Sequence, residues 1–337
     1  MVGSHVAEHF ARRGNQVIVL DNLIRSTLFG SSHPSVEFNW KYLGGVTSVR
    51  LIKGDVRNRV DVETAVGDGV DAVVHAAGQP GVGYSIQHPE EDFAINTLGT
   101  FTVLEVLRQR SPKAAVVYCS TNKVYGEHVE RVPLREEATR YVFDGLRAVP
   151  VEMPTDLTSH TPYGVSKLAG ELYVQEYAHT YGLRTGAFRM SCIYGTRQFG
   201  FEDQGWVAHF VISAALGRPL TIYGDGKQVR DVLYVGDLVA AFERFIDGRI
   251  PHGVYNIGGG PTRTLSLLEL LEWLKQRYGR LPQVRYDRWR PSDQRVYISD
   301  LSKVERDLGW QPCVEVPEGL GRLAAWVEEH RSLWQSG

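Results

Sequence analysis

The chain has 337 residues, a formal net charge of -2 and 43% hydrophobic residues, enough to bury a large sheet. A balance this close to neutral lacks the concentrated basic face that nucleic acid or an anionic membrane surface attracts, so neither is expected as a partner and small-molecule chemistry becomes the working class. Three unpaired cysteines (Cys119, Cys192 and Cys313) and no apolar run near the ~18 residues of a membrane span argue for a reducing, cytoplasmic setting without a disulfide frame or zinc cluster.

In chain order, "MVGSHVAEHF" has the pattern of a helix start and "NQVIVLD" that of a strand. The runs "QVIVLD", "VRLIKGD", "DAVVHAA", "AAVVYCS" and "RTGAFRM" are nearly continuous in apolar residues, as parallel strands covered on both faces are. Amphipathic helices are predicted between them, notably over 93–109 and 165–181. Strand and helix alternating in this way give a doubly wound parallel α/β sheet of Rossmann type. Beyond Arg189 the texture changes to loops, aromatics and separate helices ("LSLLELLEWLKQRYG", "VPEGLGRLAAWVEEH"), predicting a smaller C-terminal substrate lobe. The expected division is 1–190 and 191–337, with segments near 230–260 returning to the first unit.

A cofactor site can be traced through the first half. In a dinucleotide-binding fold the first strand runs into a glycine turn, and the next helix aims its N-terminus at the pyrophosphate. Gly3 fits the last glycine of that turn, where a missing side chain lets helix and strand approach. The expectation is then that a strand and two further glycines precede Met1. Asp21, with Asn22 beside it, closes the following strand, where a carboxylate can bind the adenine ribose hydroxyls and repel the extra phosphate of NADP. "GDVRN" offers Asp55 and Val56 to the adenine, and "HAAGQ" offers Ala76, Ala77 and Gly78, small enough for backbone to lie along the cofactor. The cofactor expected is NAD.

"TPYGVSK" places Tyr163 and Lys167 four apart at a helix start, hence on one face. A tyrosine is a poor base at its free pKa near 10, and an adjacent ammonium, together with a positively charged nicotinamide, is expected to lower that value. Upstream, "CSTNKVYG" ends a strand at Thr121, placed to hydrogen bond the same substrate oxygen. His75, His160 and His209 form no H-x-H or H-x-x-x-H pair, so no metal is expected.

Thr121, Tyr163, Lys167, "HAAGQ", Asp55 and "GDGKQVRDVLYVGDLV" together resemble the extended short-chain dehydrogenase/reductase family of nucleotide-sugar epimerases and dehydratases, over nearly the whole chain. The resemblance implies bound NAD, Tyr163 as acid/base, Lys167 on the nicotinamide ribose and on the tyrosine's pKa, Thr121 orienting a sugar hydroxyl, and a nucleotide-diphosphate sugar as substrate. It also implies a homodimer, with the 93–109 and 165–181 helices as the expected contact. Family dehydratases read Thr-Asp-Glu where this chain reads Thr121-Asn122-Lys123. An amide cannot donate a full proton and a protonated lysine is a poor base, so elimination of water is not expected, whereas epimerisation needs neither group. "STNKVYG", "AGQPGVGYSIQHP" and "GKQVRD" are similar to the CDP-paratose 2-epimerase (CDP-tyvelose 2-epimerase) branch; a UDP-sugar 4-epimerase and a non-catalytic sugar-nucleotide-binding relative stand as alternatives. For the substrate, Asn122, Gln198, Arg230 and Arg290 are the expected contacts, with Arg295, Phe199 and Trp206 as further candidates and arginine suited to a diphosphate.

Overall fold

The protein is described by a computed structural model covering residues 1–25, 35–290 and 292–334. Helix α1 (Val2–Arg12) buries Val6, Ala7 and Ala11, which share one helical face, and leads into strand β1 (Val17–Asp21). Helix α2 (Ser35–Gly44), strand β2 (Val49–Lys53), helix α3 (Arg59–Val66) and strand β3 (Ala72–His75) follow. Asn58 caps α3 by accepting from the Val60 amide. Next come the short helices α4 (Val82–Gln87) and α5 (Pro89–Phe93). The helix predicted over 93–109 is interrupted: α5 passes through one π turn (Ala94–Leu98) before continuing as α6 (Gly99–Arg110). Within that turn Asn96 is buried and bonded to three other segments, a side-chain demand that regular helical spacing does not encode.

Strand β4 (Ala115–Thr121) is buried throughout and runs into a 3-10 segment, Asn122–Arg131. After the hairpin β5 (Leu134–Glu136) and β6 (Tyr141–Phe143) comes α7 (Pro162–Tyr181), the longest helix among the described residues. Thr161 caps it by accepting from the Gly164 amide, Pro162 occupies its first turn and Gly182, at φ 71, ends it in the left-handed region. Strands β7 (Arg184–Met190) and β8 (Cys192–Tyr194), helix α8 (Trp206–Leu216), strands β9 (Leu220–Tyr223) and β10 (Val229–Tyr234), helix α9 (Val235–Asp247) and strand β11 (His252–Ile257) follow. The chain continues through β12 (Thr264–Ser266), α10 (Leu267–Tyr278), β13 (Val284–Asp287), β14 (Val296–Tyr297), α11 (Ser302–Leu308) and α12 (Val316–Glu329).

The main sheet is parallel, in the order β11-β7-β4-β3, with Ala115 opposite both Ala72 and Arg184. Alternate residues of β4 enter two different cores. Val117 and Cys119 pack with Phe188, Leu238, Phe242 and Phe245, whereas Val116 and Tyr118 pack with Leu104, Leu107 and Val174. A sheet with apolar layers on both faces is the doubly wound arrangement expected from the unalternating apolar runs. Strands β1 and β2 form a separate parallel pair, and among the described residues no backbone bonds join β1 to β3. Gly3 lies against β3's exit, where an added Cβ would sit 3.9 Å from that of Ala76. That is ordinary contact, so packing does not by itself require glycine there, contrary to the reason inferred from sequence.

A second apolar cluster unites α8, α10 and α12 with β9 and β10 through Phe210, Val211, Ile222, Leu270 and Leu323. Strand β10 is shared by β8, β12 and β14, while β11 returns to the main sheet beside β7. The C-terminal ends of the parallel strands β3 and β4 are the usual place for a ligand in an open α/β sheet.

The close approach of α7 to β4 depends on Gly170, where an added Cβ would lie 2.4 Å from the Tyr118 hydroxyl and 3.2 Å from the Asn96 carbonyl oxygen. Gly170→Ala is expected to cost about 1–3 kcal/mol through overpacking, lowering Tm by a few degrees in a thermal melt.

Candidate active site

Tyr163 and Lys167 lie in the first turns of α7, and Thr121 is the last residue of β4. The three converge where the β3 exit, Ala76–Gly78, passes beneath α7: a Cβ on Gly78 would be 3.0 Å from the Asn96 Oδ1 and 3.9 Å from the Lys167 Nζ. A side chain at Gly78 would crowd the Asn96 carboxamide. Lys167 is buried, its ammonium 4.2 Å from the centre of the Tyr118 ring. Thr121 is buried too, and its hydroxyl accepts from the Lys123 amide at 3.3 Å.

The electrostatics differ from the sequence expectation. Burial pushes the Tyr163 hydroxyl up to about 12, with Asp92 and Cys119 acting in the same sense and the Thr121 hydroxyl opposing. The lowering anticipated from the neighbouring ammonium is thus absent in the protein alone, where desolvation of the phenolate dominates. Burial likewise pushes Lys167 down to about 8, with Cys119, Glu171 and Asp92 acting in the opposite sense.

Two buried polar networks hold these side chains. In the first, Ser120 donates to Glu171 Oε2 at 2.6 Å, Arg189 binds Glu171 Oε1 at 2.7 Å and the Tyr125 hydroxyl at 3.0 Å, and Tyr125 donates to Asn256 at 2.6 Å. This joins β4, α7, β7, the Asn122–Arg131 segment and β11 directly behind Thr121. In the second, the Gln79 amide donates to Asn96 Oδ1 at 2.9 Å, and Asn96 Nδ2 reaches Asp92 at 3.1 Å and Ser166 Oγ at 3.1 Å. Sequence reasoning singled out none of Asp92, Asn96, Ser166, Glu171 and Arg189. Their only trace is a polar residue standing where the helical or strand pattern calls for an apolar one.

The expected adenine end is assembled around Asp21, Asn22 and Asp55. Asp21 ends β1 exposed, and its Oδ1 accepts from the Leu23 amide at 2.8 Å. Asn22 donates to Asp55 at 2.8 Å, and Arg57 holds the same carboxylate through its Nε at 2.9 Å and Nη2 at 2.6 Å. The Asp55 side chain is therefore occupied as a scaffold, with Val56 partly buried against the α3–α6 core. Ala76, Ala77 and Gly78 follow at the exit of β3. These residues fit a dinucleotide: an exposed carboxylate at the end of β1, a crowded glycine at the exit of β3 and a buried ammonium on α7 are groups that such a ligand meets in a fold of this type.

On the substrate side Arg230 pairs with Asp293 at 2.6 Å, and Arg290 pairs with Asp203 at 3.0 Å while lying 4.0 Å above the Tyr223 ring. Gln198 is buried, donates to the Ile193 carbonyl at 3.2 Å and leaves its Oε1 without a partner. Asn122 is buried beside Thr121, its Oδ1 3.4 Å from that hydroxyl. Lys123 reaches across to the Ser292 carbonyl at 3.0 Å, and burial brings its pKa down to about 8. Phe199, a candidate contact from sequence, is instead core: it packs on Phe38, Trp326 and Trp334. Trp206 opens α8 and meets Phe210 edge-on, while Arg295 lies over the Tyr141 and Trp289 rings. His75 is buried and hydrogen bonded to Thr100 at 3.0 Å, and burial pushes it down to about 3, so it is neutral.

Residues 1–258 match the model of the NAD dependent epimerase/dehydratase family. The chain belongs to that family. It is 35% identical to the CDP-paratose 2-epimerase of Salmonella typhi over 97% of this chain and 96% of the relative. A putative UDP-glucose 4-epimerase of Methanocaldococcus jannaschii is 29% identical, covering 98% and 96%. Among solved structures, the Thermus thermophilus UDP-glucose 4-epimerase in complex with NAD superimposes with a TM-score of 0.80 at 30% identity, over 98% of this chain and 96% of that one. The fold is thus that of an NAD-dependent nucleotide-sugar epimerase, and NAD is the family's cofactor.

The Arg57 clasp has a measurable consequence. Its hydrogen bonds bring the Asp55 carboxyl down to about 2, whereas an unfolded aspartate titrates at ~4. A depressed carboxyl contributes stability that is fully present above the unfolded value and lost as pH falls through the folded one, here between about pH 4 and pH 2. In Arg57→Ala the Asp55 Cγ resonance is expected to titrate close to the unfolded value, read by carbon-13 NMR.

Proposed function

We propose that this protein epimerises a nucleotide-diphosphate sugar through a transient keto sugar, most closely at carbon two of a CDP-sugar, as the name of its Salmonella relative suggests. The observation that carries the reading is the meeting of Thr121, Tyr163 and Lys167 at the glycine passage, with Asn122 and Lys123 in place of the acid and base that dehydration needs. When bound, NAD supplies the hydride acceptor and donor, and its positive ring lowers the Tyr163 pKa from the value set by burial. Tyr163 then takes the proton of the sugar hydroxyl as the carbon–hydrogen bond is oxidised. After the sugar turns its other face it gives the proton back, so that no net proton or electron is consumed. Thr121 aligns the hydroxyl, and Lys167 holds the ribose and keeps positive charge beside the phenolate. Arg230 and Arg290 exchange Asp293 and Asp203 for the substrate diphosphate, a trade of one anion for another that leaves no arginine uncompensated.

The same reading extends to assembly. Leu98 and Phe101 on one helix run, and Val165, Leu172 and Tyr173 on α7, are exposed on neighbouring helices joined by the Phe101–Tyr173 ring contact. A second copy of the chain covers this strip, and Leu172→Glu is expected to convert a dimer to a monomer in light scattering after gel filtration. Three cysteines without disulfide partners favour a reducing, cytoplasmic setting, and no helix among the described residues is long and apolar enough to cross a membrane.

The decisive test is product analysis by NMR with NAD and CDP-paratose, alongside UDP-glucose. Inversion at carbon two, reduced at least ~100-fold in Tyr163→Phe, supports the narrow reading. Inversion of UDP-glucose at carbon four instead retains the site and changes the substrate. Bound sugar nucleotide with no turnover of either overturns catalysis in favour of a binding role.

A further inference from the structure

Of the cations at the site, Lys123 is one that the proposed chemistry leaves without a task. It follows Thr121 by two residues, at the start of the 3-10 segment that leaves β4. Its ammonium has three protons to donate, and among the described residues it makes one hydrogen bond, to the Ser292 carbonyl at 3.0 Å, and no ion pair. The arginines of the site differ, since Arg189, Arg230 and Arg290 each hold a carboxylate.

The carbonyl that Lys123 holds belongs to the peptide unit joining Ser292 to Asp293, and the proposed diphosphate contacts converge on that unit. Its amide, that of Asp293, donates to the Arg290 carbonyl at 3.3 Å, and the Asp293 carboxylate pairs with Arg230 at 2.6 Å. One short piece of chain thus touches Lys123, Arg230 and Arg290 together. A phosphate that displaces Asp293 from Arg230 takes the place of that carboxylate, one residue along from the carbonyl that Lys123 holds. For an ammonium an anionic phosphate is a stronger partner than a neutral carbonyl.

We propose that Lys123 binds the sugar-side phosphate of the substrate, as a third cation beside Arg230 and Arg290 that leaves the Ser292 carbonyl when the diphosphate enters. The inference deepens the epimerase reading and rests on it for the identity of the ligand. Chain connectivity selects the phosphate: Lys123 leaves the same strand end as Thr121, which aligns the sugar, so its ammonium serves the phosphate that carries the sugar and not the one on the nucleoside. An anchor there holds the anomeric end while the sugar turns its other face to the cofactor. The charge state agrees. Burial and Arg230 disfavour the ammonium while Asp293 and Glu130 favour it, and the balance falls at about 8, so Lys123 is mostly protonated at pH 7.

The test is calorimetric titration of the NAD-loaded protein with CDP and with CMP, and likewise with UDP and UMP, for the native chain, Lys123→Gln, Lys123→Met and Lys123→Arg. The number read is the preference for the diphosphate over the monophosphate, which lacks the sugar-side phosphate. In Lys123→Gln and Lys123→Met that preference is expected to fall about tenfold or more with monophosphate affinity nearly unchanged, and Lys123→Arg is expected to keep most of it. Glutamine retains an N–H donor for the Ser292 carbonyl, so a role confined to holding that carbonyl leaves the preference intact in Lys123→Gln, and this result overturns the proposal. Equal losses for monophosphate and diphosphate, the mark of a disturbed segment, overturn it as well. Should Lys123→Met fail to fold, Lys123→Gln and Lys123→Arg carry the comparison by themselves. A native chain that binds none of the four nucleotides overturns the epimerase reading and this proposal together, whereas a native preference for diphosphate that survives in Lys123→Gln removes only Lys123.

Discussion

The architecture of the site depends on one buried ion pair. Glu171 and Arg189 are almost wholly removed from water, and a pair in that position is tolerable only if the remaining hydrogen-bonding capacity of both is met. Here it is: Ser120 takes one Glu171 oxygen, while Tyr125 and the Val151 carbonyl take the remaining reach of Arg189. Each partner comes from a different element, so the pair can form in only one relative placement of β4, β7 and α7. Thr121 directly follows Ser120, and Lys167 lies one helical turn before Glu171. Thr121 and Lys167, two of the proposed catalytic residues, are thereby held beside a charge network that neither belongs to.

Burial sets both the reach and the difficulty of the chemistry. The same exclusion of water that pushes Tyr163 up and Lys167 down gives each nearby charge a longer influence than it would have at the surface. Burial thereby biases each of the two groups toward its neutral form in the protein alone. In the proposed function Arg230 and Arg290 follow the complementary logic, since each is held by a carboxylate that an incoming diphosphate replaces.

Much of this was legible in one dimension because some demands are local. Unalternating apolar runs report strands covered on both faces, and β4 meets that reading with one core on each side. Tyr163 and Lys167 could be paired because four residues in a helix return to the same face, and Thr121 because a polar residue ends an apolar strand. Less was readable where the constraint comes from a partner distant in sequence. Phe199 reads as a pocket aromatic in its motif but is claimed by Phe38, Trp326 and Trp334. The predicted 93–109 helix broke at Asn96, whose carboxamide answers to Gln79, Asp92 and Ser166 together.

The sequence by itself determined the fold class and the family, and it named Thr121, Tyr163 and Lys167 as the proposed acid/base trio, because these readings follow from periodicity and from motifs a few residues long. Only the tertiary structure decided the charge state of the site. A pKa answers to everything within several ångströms of a group regardless of chain distance, and it was burial that pushed Tyr163 up and Lys167 down, with Glu171 and Asp92 opposing it at the lysine.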